Sequence, residues 1–193
     1  MDHNAPILPA PPVDARMRRS RSRLLDTLLA LLEEQPFDQI TIREITRRAE
    51  VGYATFFRHY PTKEALLDEL ASDQIRTLLQ YSVPLLYETD SQRSSIALCA
   101  YVAEHRQLWT ALLTGGAAGI VREAFLRLAK QLPTSGTDGD SWLPEELRVI
   151  HATTSTVEIL AWWLQRRQDL SVEEIGTILN RLVIAPTLSP PGA

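Results

Sequence analysis

Apolar residues recur at helical spacing from the first long charged segment onward. The first predicted helix covers residues 16–34 and ends before Pro36, and its buried stripe consists of Leu24, Leu28, Leu31 and Leu32. Residues 1–15 carry four prolines and no amphipathic period, which predicts a disordered tail.

Two short amphipathic segments follow, separated by Gly52. At the start of the first, Thr41 and Glu44 predict a capping box in which each side chain bonds the other's backbone amide. Ile40 and Ile45 stand at the positions of a hydrophobic staple. The first short helix is therefore expected to begin at Thr41.

The second short segment covers residues 53–59 and ends before Pro61. Thr62 caps a longer helix, which is predicted to end near Ser82 because Pro84 follows. Further helices are predicted at residues 91–104, 105–113, 117–132, 145–167 and 171–185, with a polar loop at 133–144. Since no strand-like alternation stands out, the sequence predicts an all-α protein.

The last two predicted helices are amphipathic and separated by a very short turn, so they are expected to be antiparallel neighbours. Ser171 and Glu174 predict a second capping box, with Leu170 and Ile175 as its staple. The final helix is expected to bury Ile175, Ile178, Leu179 and Leu182.

Apolar side chains of the helix at 145–167 face in two directions. One stripe consists of Ile150, Thr154, Val157, Ala161 and Leu164, and outside it lie Ile159, Trp162 and Trp163. A second copy of the chain is expected to cover one face, and burial within one chain is the alternative. The predicted dimer contacts are Val157, Ala161, Trp162, Ile178 and Leu182.

Composition limits the classes of protein to consider. The chain has 193 residues, of which 45% are apolar, and a single cysteine, Cys99. One cysteine excludes an intramolecular disulfide, and its apolar surroundings indicate a buried, inert thiol. No uncharged apolar run approaches the length of a membrane helix, which is about 20 residues, and no signal peptide is visible. We therefore expect a soluble cytoplasmic protein with no membrane partner.

Charge is unevenly distributed along the chain. Residues 16–63 contain ten basic and six acidic residues, whereas the remainder contains ten basic and eighteen acidic ones. A basic N-terminal third on an acidic body suggests a local anionic partner. Chance asymmetry is the alternative.

The two short helices around Gly52 form a helix-turn-helix. Their shared core is expected to consist of Ile42, Ile45, Ala49, Val51 and Phe56, which leaves the other face of the second helix free to enter a DNA major groove. The outward residues are Tyr53, Ala54, Thr55, Arg58 and His59.

Several of these residues suit DNA. Arg58 can bond O6 and N7 of guanine together, and Thr55 can meet a phosphate or a thymine methyl. Lys63 lies in the first turn of its helix, where the dipole disfavours a cation, so a bound phosphate would explain it. A solvated lysine paired loosely with Glu64 is the alternative. Thr41 and Arg43 could hold a phosphate at the preceding helix start.

Residues 41–67 resemble the DNA-binding signature of the TetR family of bacterial one-component regulators. The resemblance is most specific in "TFFRHYPTKEALL" and rests on Thr41, Ala49, Val51, Gly52, Thr55, Phe56, Phe57, His59, Tyr60, Lys63 and Glu64. It implies a three-helix DNA-binding domain at 16–63, with its motif at 41–60, behind the tail at 1–15. A long helix would join it to a helical dimerisation and effector domain at 64–193.

Four residues depart from the family pattern. Gly52 replaces the usual serine cap, and Glu50 and Ala54 replace usual glycines. Phe57 replaces a tyrosine, so the phosphate bond which that hydroxyl would make is absent. Tyr53 and His59 could compensate through contacts with the DNA backbone.

The resemblance implies a homodimeric regulator, a repressor that a small molecule releases from a palindromic operator of double-stranded DNA. The candidate effector contacts are Cys99, Tyr101, His105, Trp109 and His151, although each is also a common type of core residue. A protein-interaction or ligand-sequestering module with a decayed DNA surface is the alternative. An enzyme that uses His59 or His151 as a base is the third reading. The histidines lack metal spacing, so no metal or cofactor is expected.

Overall fold

A computed structural model describes residues 12–87, 90–131, 143–167 and 169–188. Within these ranges the helices are α1 (Pro12–Glu34), α2 (Ile42–Arg48), α3 (Tyr53–His59), α4 (Lys63–Tyr87), α5 (Ser91–Glu104), α6 (Arg106–Leu113), α7 (Ala118–Ala129), α8 (Glu145–Arg166), α9 (Val172–Leu179) and α10 (Ala185–Leu188). Two 3-10 turns, Phe37–Gln39 and Gly115–Ala117, and a π-helical turn, Asn180–Ile184, connect some of them. The described residues contain no strand, and the all-α prediction is confirmed.

The first helix begins earlier than the sequence predicted. It starts at Pro12 rather than Arg16, because a proline has the backbone angle of a first helical turn and lacks only an amide that would be unbonded there. The predicted tail is therefore wrong for residues 12–15, and residues 1–11 lie outside the described part. The predicted leucine stripe of α1 is buried.

A small core holds α1, α2 and α3 together. Ile45 and Phe56 are fully buried, and Ala49 and Val51 pack between them. Ile42 is half-buried against the same cluster. This predicted core of the helix-turn-helix is confirmed, and it fixes which face of α3 remains outside.

The long helix α4 leaves this unit and packs against α5 and α7 in the C-terminal body. It continues to Tyr87, so the predicted end before Pro84 is wrong. A proline near a helix end removes one backbone hydrogen bond, and here the helix continues for a few residues beyond it. One continuous helix therefore connects the two parts of the fold.

In the body, α9 packs mainly on α5 rather than along α8. The approach is close at Gly176, where a Cβ would lie 2.8 Å from Cγ1 and 2.9 Å from Cα of Ile96. The turn between α8 and α9 is closed by Trp163, whose Nε1 donates to the carbonyl of Leu170 at 3.2 Å. Trp163 is buried in the chain, so its apolar surface needs no partner.

The chain after α9 departs from simple α-helical spacing. Leu182 is 63% exposed and Val183 is 1% exposed, so the predicted burial of Leu182 is wrong. A π-helical turn, with its i→i+5 hydrogen bonds, winds more widely than an α-helix. It keeps Val183 on the face of Leu179 and rotates Leu182 away. Ile178 is only half-buried.

The two predicted capping boxes have different outcomes. Ser171 and Glu174 make both reciprocal bonds at the start of α9. At α2 the Thr41 hydroxyl accepts from the Glu44 amide at 3.2 Å, but the Glu44 carboxylate accepts from Gln35 at 3.0 Å instead. The box at α2 is therefore only half formed.

Most of the predicted polar loop at 133–144 lies outside the described residues. In the part of the chain that is described, no helix combines the length and apolar character needed to cross a membrane.

Candidate nucleic-acid interface

The helix α3 presents one face to the core and the other to solvent. It begins after Gly52, which has extended backbone angles but provides no side-chain cap. It ends at His59, with Tyr60 as its C-cap before Pro61. Phe56 is buried on the inner face, whereas Tyr53 and Phe57 are 51% and 45% exposed. Large exposed aromatic side chains on a short helix are typical of a binding face.

The exposed face of α3 has an ordered arrangement of side chains. The rings of Tyr53 and Phe57 meet edge to face with centroids 5.2 Å apart. Arg58 is exposed, and its Nη2 donates to the Thr55 hydroxyl at 2.9 Å. Ala54 is exposed beside them and is too small to obstruct a partner. Tyr53, Ala54, Thr55 and Arg58 are four of the five outward positions predicted from the sequence. Phe57 lies on the same face.

The turn before α3 holds a residue in an unusual conformation. Glu50 has a φ of 52°, in the left-handed region that favours glycine. Its carboxylate lies 3.6 Å from a guanidinium nitrogen of Arg23 on α1. This left-handed conformation explains why the family usually has glycine at this position. Glu50 adopts the same conformation with backbone strain.

His59 is directed towards α1. Its Nε2 lies 2.7 Å from the Ser20 hydroxyl, and the ring is half-buried. Burial lowers the pKa of His59 from its ordinary value, and the nearby cations Arg58 and Arg21 lower it further. In this structure Nε2 of His59 contacts the Ser20 hydroxyl and so joins α3 to α1. It does not point outward for the predicted contact with the DNA backbone.

Lys63 is also directed inward. Its Nζ donates to the carbonyls of Phe37 at 3.0 Å and Ile40 at 2.9 Å, and it lies 4.4 Å from the centroid of the Phe37 ring. The ammonium thus ties the start of α4 to the chain between α1 and α2. Lys63 is therefore not a solvated side chain paired loosely with Glu64. Its predicted phosphate contact stays a prediction.

A second polar network, in which only Tyr60 is buried, links α1 and α4 around the end of α3. The Tyr60 hydroxyl donates to the Glu69 carboxylate at 2.9 Å, and Arg21 Nε lies 2.8 Å from the same oxygen. Burial is the main reason that the pKa of Tyr60 is raised above its ordinary value. This support of α3 was not predicted from the sequence.

The start of α2 offers a separate polar point. Thr41 is exposed and caps the helix through its hydroxyl, and Arg43 is exposed in the first turn. Their predicted phosphate contacts stay predictions, although both side chains lie at the surface.

An arginine cleft opens between α1 and α3. We give this name to a cleft of about 580 Å³ whose cationic side chains are Arg16, Arg19, Arg23 and Arg58. Glu50 is its one acidic wall residue, and Ser20, Gly52 and Thr55 line it as well. Three of the arginines come from α1, where the sequence crowds arginines, yet they were not predicted as site residues. The cleft extends the positive surface of α3 along a second helix.

The predicted effector residues divide into two groups. Tyr101, His105 and Trp109 come together on α5 and α6, because the Tyr101 ring centroid lies 4.4 Å from His105 and 6.5 Å from Trp109. Cys99 is buried in the core, and this burial raises the pKa of its thiol to about 12. His151 is exposed on α8, where its Nδ1 lies 3.4 Å from the Ser155 hydroxyl.

The predicted dimer residues likewise divide. Val157 and Ala161 are buried within one chain, 1% and 6% exposed, so their side chains leave little surface for a partner. Trp162 and Leu182 are 39% and 63% exposed, and Ile178 is half-buried.

No cluster of three His, Cys, Asp or Glu side chains suitable for a metal occurs among the described residues.

Together, the buried three-helix unit, the tight turn and the exposed α3 define a protein with a helix-turn-helix domain. Residues 24–70 match the family model of "Bacterial regulatory proteins, tetR family". The predicted resemblance of residues 41–67 to the TetR family is confirmed over this matched segment.

Two curated relatives match part of the chain. An uncharacterised HTH-type transcriptional regulator of Bacillus subtilis, YxbF, is 41% identical over 59 residues, which cover 30% of this chain and 16% of the relative. The class D tetracycline repressor of Escherichia coli is 32% identical over 72 residues, which cover 37% of this chain and 33% of the repressor. The chain thus spans a third or less of the length of these relatives.

Solved structures share the fold over most of the chain. A TetR transcriptional regulator of Streptococcus agalactiae has a TM-score of 0.62 at 21% identity, covering 88% of this chain and 96% of its own. Thermus thermophilus FadR, a TetR-family repressor solved with lauroyl-CoA, has a TM-score of 0.56 at 20% identity, covering 90% and 98%. At these identities the likeness concerns the fold.

Proposed function

We propose that this protein is a cytoplasmic transcriptional regulator that binds a palindromic operator as a homodimer. The observation that carries the proposal is the exposed face of α3 beside the arginine cleft. In this arrangement α3 enters the major groove, and Arg58 bonds guanine O6 and N7. The arginines of α1 contact phosphates and set the register. A two-fold pair would read half-sites about 34–36 Å apart or slightly more.

The exposed apolar side chains of the C-terminal body support dimerisation. Trp162 and Leu182 remain exposed after the chain has buried Val157 and Ala161. A symmetric partner would cover this surface. Sedimentation of the wild type as a dimer and of Leu182→Glu as a monomer would support this interface. A wild-type monomer at micromolar concentration would contradict it.

Repression that a small molecule relieves is the mode of action we propose. The lauroyl-CoA bound to one structural neighbour supports a small-molecule effector for this chain. Since α4 begins at the reading unit and packs in the body, an effector that shifts α4 would change the separation of the two α3 helices. Release of the operator would follow.

Fluorescence anisotropy with the DNA upstream of the protein's own gene tests the proposal. We expect binding that weakens steeply with salt, and Arg58→Ala should reduce discrimination among operator sequences. Arg122→Ala is the matched control, because Arg122 lies on α7 and pairs with Glu158 at 2.7 Å. Equal losses on all sequences from Arg58→Ala would refute the base-reading role.

A ligand-sequestering module with a decayed DNA surface is the second candidate. The inward direction of Lys63 and the missing hydroxyl of Phe57 favour it. Under this reading the folded dimer binds no DNA even at low salt, which the same anisotropy experiment measures. Salt-dependent binding to cognate DNA would exclude it.

A further inference from the structure

Two side-chain nitrogens on α6 are buried and lack a hydrogen-bond partner among the described residues. They are Nη2 of Arg106 and Nε1 of Trp109. The two residues are three positions apart, so they are neighbours on the surface of one helix. A buried donor without an acceptor is unfavourable, and a charged donor more so. Each such group in a folded protein therefore needs an explanation.

Aromatic side chains surround both nitrogens. The guanidinium carbon of Arg106 lies 5.1 Å from the ring of Trp163 on α8. The ring of Trp109 lies 6.5 Å from Tyr101 and 6.0 Å from Phe125. The Trp163 N–H is already bonded to a carbonyl, so it does not compete for an added acceptor. Aromatic rings thus lie close to two unused donors.

Arg106 also reaches the surface. It lines an open groove of about 600 Å³ between α6 and the segment that follows α1. Glu33 and Glu34 lie in this groove, and Glu34 pairs with Arg48 at 2.7 Å. Acidic groups disfavour an anion within the groove itself. The favourable position for an anion is therefore the buried side of Arg106.

We propose that this face of α6 binds a small organic carboxylate with an aromatic or other flat apolar body. Arg106 and Trp109 provide donors only, so the ligand must provide acceptors. A guanidinium fork matches the two oxygens of a carboxylate, and Arg106 is the one cation identified at the site, which suits a monoanion better than a phosphate. The inference rests on the proposed function, since such a ligand would be the effector.

Calorimetric titration of the full chain with benzoate and 1-naphthoate tests the site, with benzamide and 1-naphthamide as uncharged analogues. We expect the acids to bind at least tenfold more tightly than the amides. Arg106→Met should weaken binding of the acids at least tenfold. Trp109→Phe replaces the indole with a ring that lacks the N–H, and it should weaken their binding severalfold. Arg122→Gln, on α7, should leave the affinity unchanged.

Three results would overturn the inference. They are no binding of either acid up to millimolar concentration, equal affinity for acid and amide, or unchanged affinity in both variants. Thermal unfolding checks the fold of each variant. Because Nη2 of Arg106 has no hydrogen-bond partner among the described residues, the melting temperature of Arg106→Met should be no lower than that of the wild type. If Arg106→Met is unfolded, the affinity of Trp109→Phe for the acids tests the site by itself.

An operator-release experiment separates this inference from the proposed function. Benzoate should release the wild type from its operator and should not release Arg106→Met, although both bind DNA when the acid is absent. A wild type that binds no DNA would refute the regulator, while calorimetry would still decide the carboxylate site. A wild type that binds DNA but neither acid would refute the site alone.

Discussion

The carboxylate of Asp38 lies directly against the backbone of Gly116. Asp38 belongs to the 3-10 turn after α1, and Gly116 belongs to the 3-10 turn before α7. A Cβ built on Gly116 would overlap both carboxylate oxygens. This contact therefore joins the DNA-binding unit to the C-terminal body, in addition to α4 and to the packing of α1 on α6.

Gly116→Ala should destabilise the chain and disturb this contact. Overpacking at such a position costs about 1–3 kcal/mol, which urea unfolding would measure. Gly119→Ala is the matched control, because its Cβ would meet nothing within 4 Å, and it should be neutral or stabilising. Asp38→Ala should restore part of the loss in the double variant. Equal stabilities of the two alanine variants would contradict the close approach.

Lys63→Met should lower stability without changing the electrostatics of DNA binding. The substitution leaves the carbonyls of Phe37 and Ile40 without their donor, at a cost of about 1–3 kcal/mol. The slope of log affinity against log salt should stay the same, whereas Arg19→Gln in the arginine cleft should reduce it by about 1. A similar reduction by Lys63→Met would mean that the ammonium turns to a phosphate on binding.

Glu50→Gly should stabilise the fold. Relief of a left-handed backbone is worth about 1–2 kcal/mol, and the greater freedom of glycine in the unfolded chain offsets about 0.5–1 kcal/mol. Glu50→Ala is the comparison, since it keeps the strain and removes only the contact with Arg23. We expect a higher melting temperature for the glycine variant alone. Equal gains in both variants would assign the effect to charge rather than to backbone strain.

Acidification should weaken the fold through His59. Its pKa is lowered from 6.5 in the folded state, mainly by burial, so below that pH the unfolded chain binds the proton more readily. The contribution of His59 is present above pH 6.5 and is lost as the pH falls through the folded-state pKa. The free energy of unfolding should decrease less between pH 7.5 and 5 in His59→Gln. Parallel pH profiles would show that the ring is not responsible.

Phe57→Tyr should strengthen DNA binding. The ring is 45% exposed on the reading face, so an added hydroxyl can reach a phosphate without disturbing the core. A single hydrogen bond contributes about 0.5–1.5 kcal/mol, and anisotropy titrations on one operator would resolve it. Tyr53→Phe should have the opposite effect. Weaker DNA binding by the Phe57→Tyr variant would indicate that the phenylalanine ring packs against the DNA sugar instead.

The sequence predicted the parts of the fold that depend on local periodicity. The leucines of α1 and the core around Phe56 follow helical spacing, and both are buried as expected. The π-helical turn was missed because nothing in the spacing of Leu182 and Val183 distinguishes it from an α-helix. The continuation of α4 past Pro84 was missed because the prediction treated a proline as a helix end.

The candidate site was predictable as a surface but not in the roles of its charged residues. Lys63 bonds to Phe37, 26 positions away, and His59 meets Ser20, 39 positions away. Such contacts depend on how the helices pack, so a motif read along the chain assigns these side chains to DNA by default. The arginines of α1 were missed for the same reason, since only the fold brings them beside α3.

The bond between Arg58 and Thr55 has a consequence for the entropy of recognition. Because Nη2 of Arg58 is held by the Thr55 hydroxyl at 2.9 Å before any partner arrives, the long side chain has already given up much of its rotational freedom. Ordering a free arginine on binding would cost about 0.5–1.5 kcal/mol. Under the proposed function Arg58 would therefore meet the operator already pre-organised by the hydroxyl of Thr55.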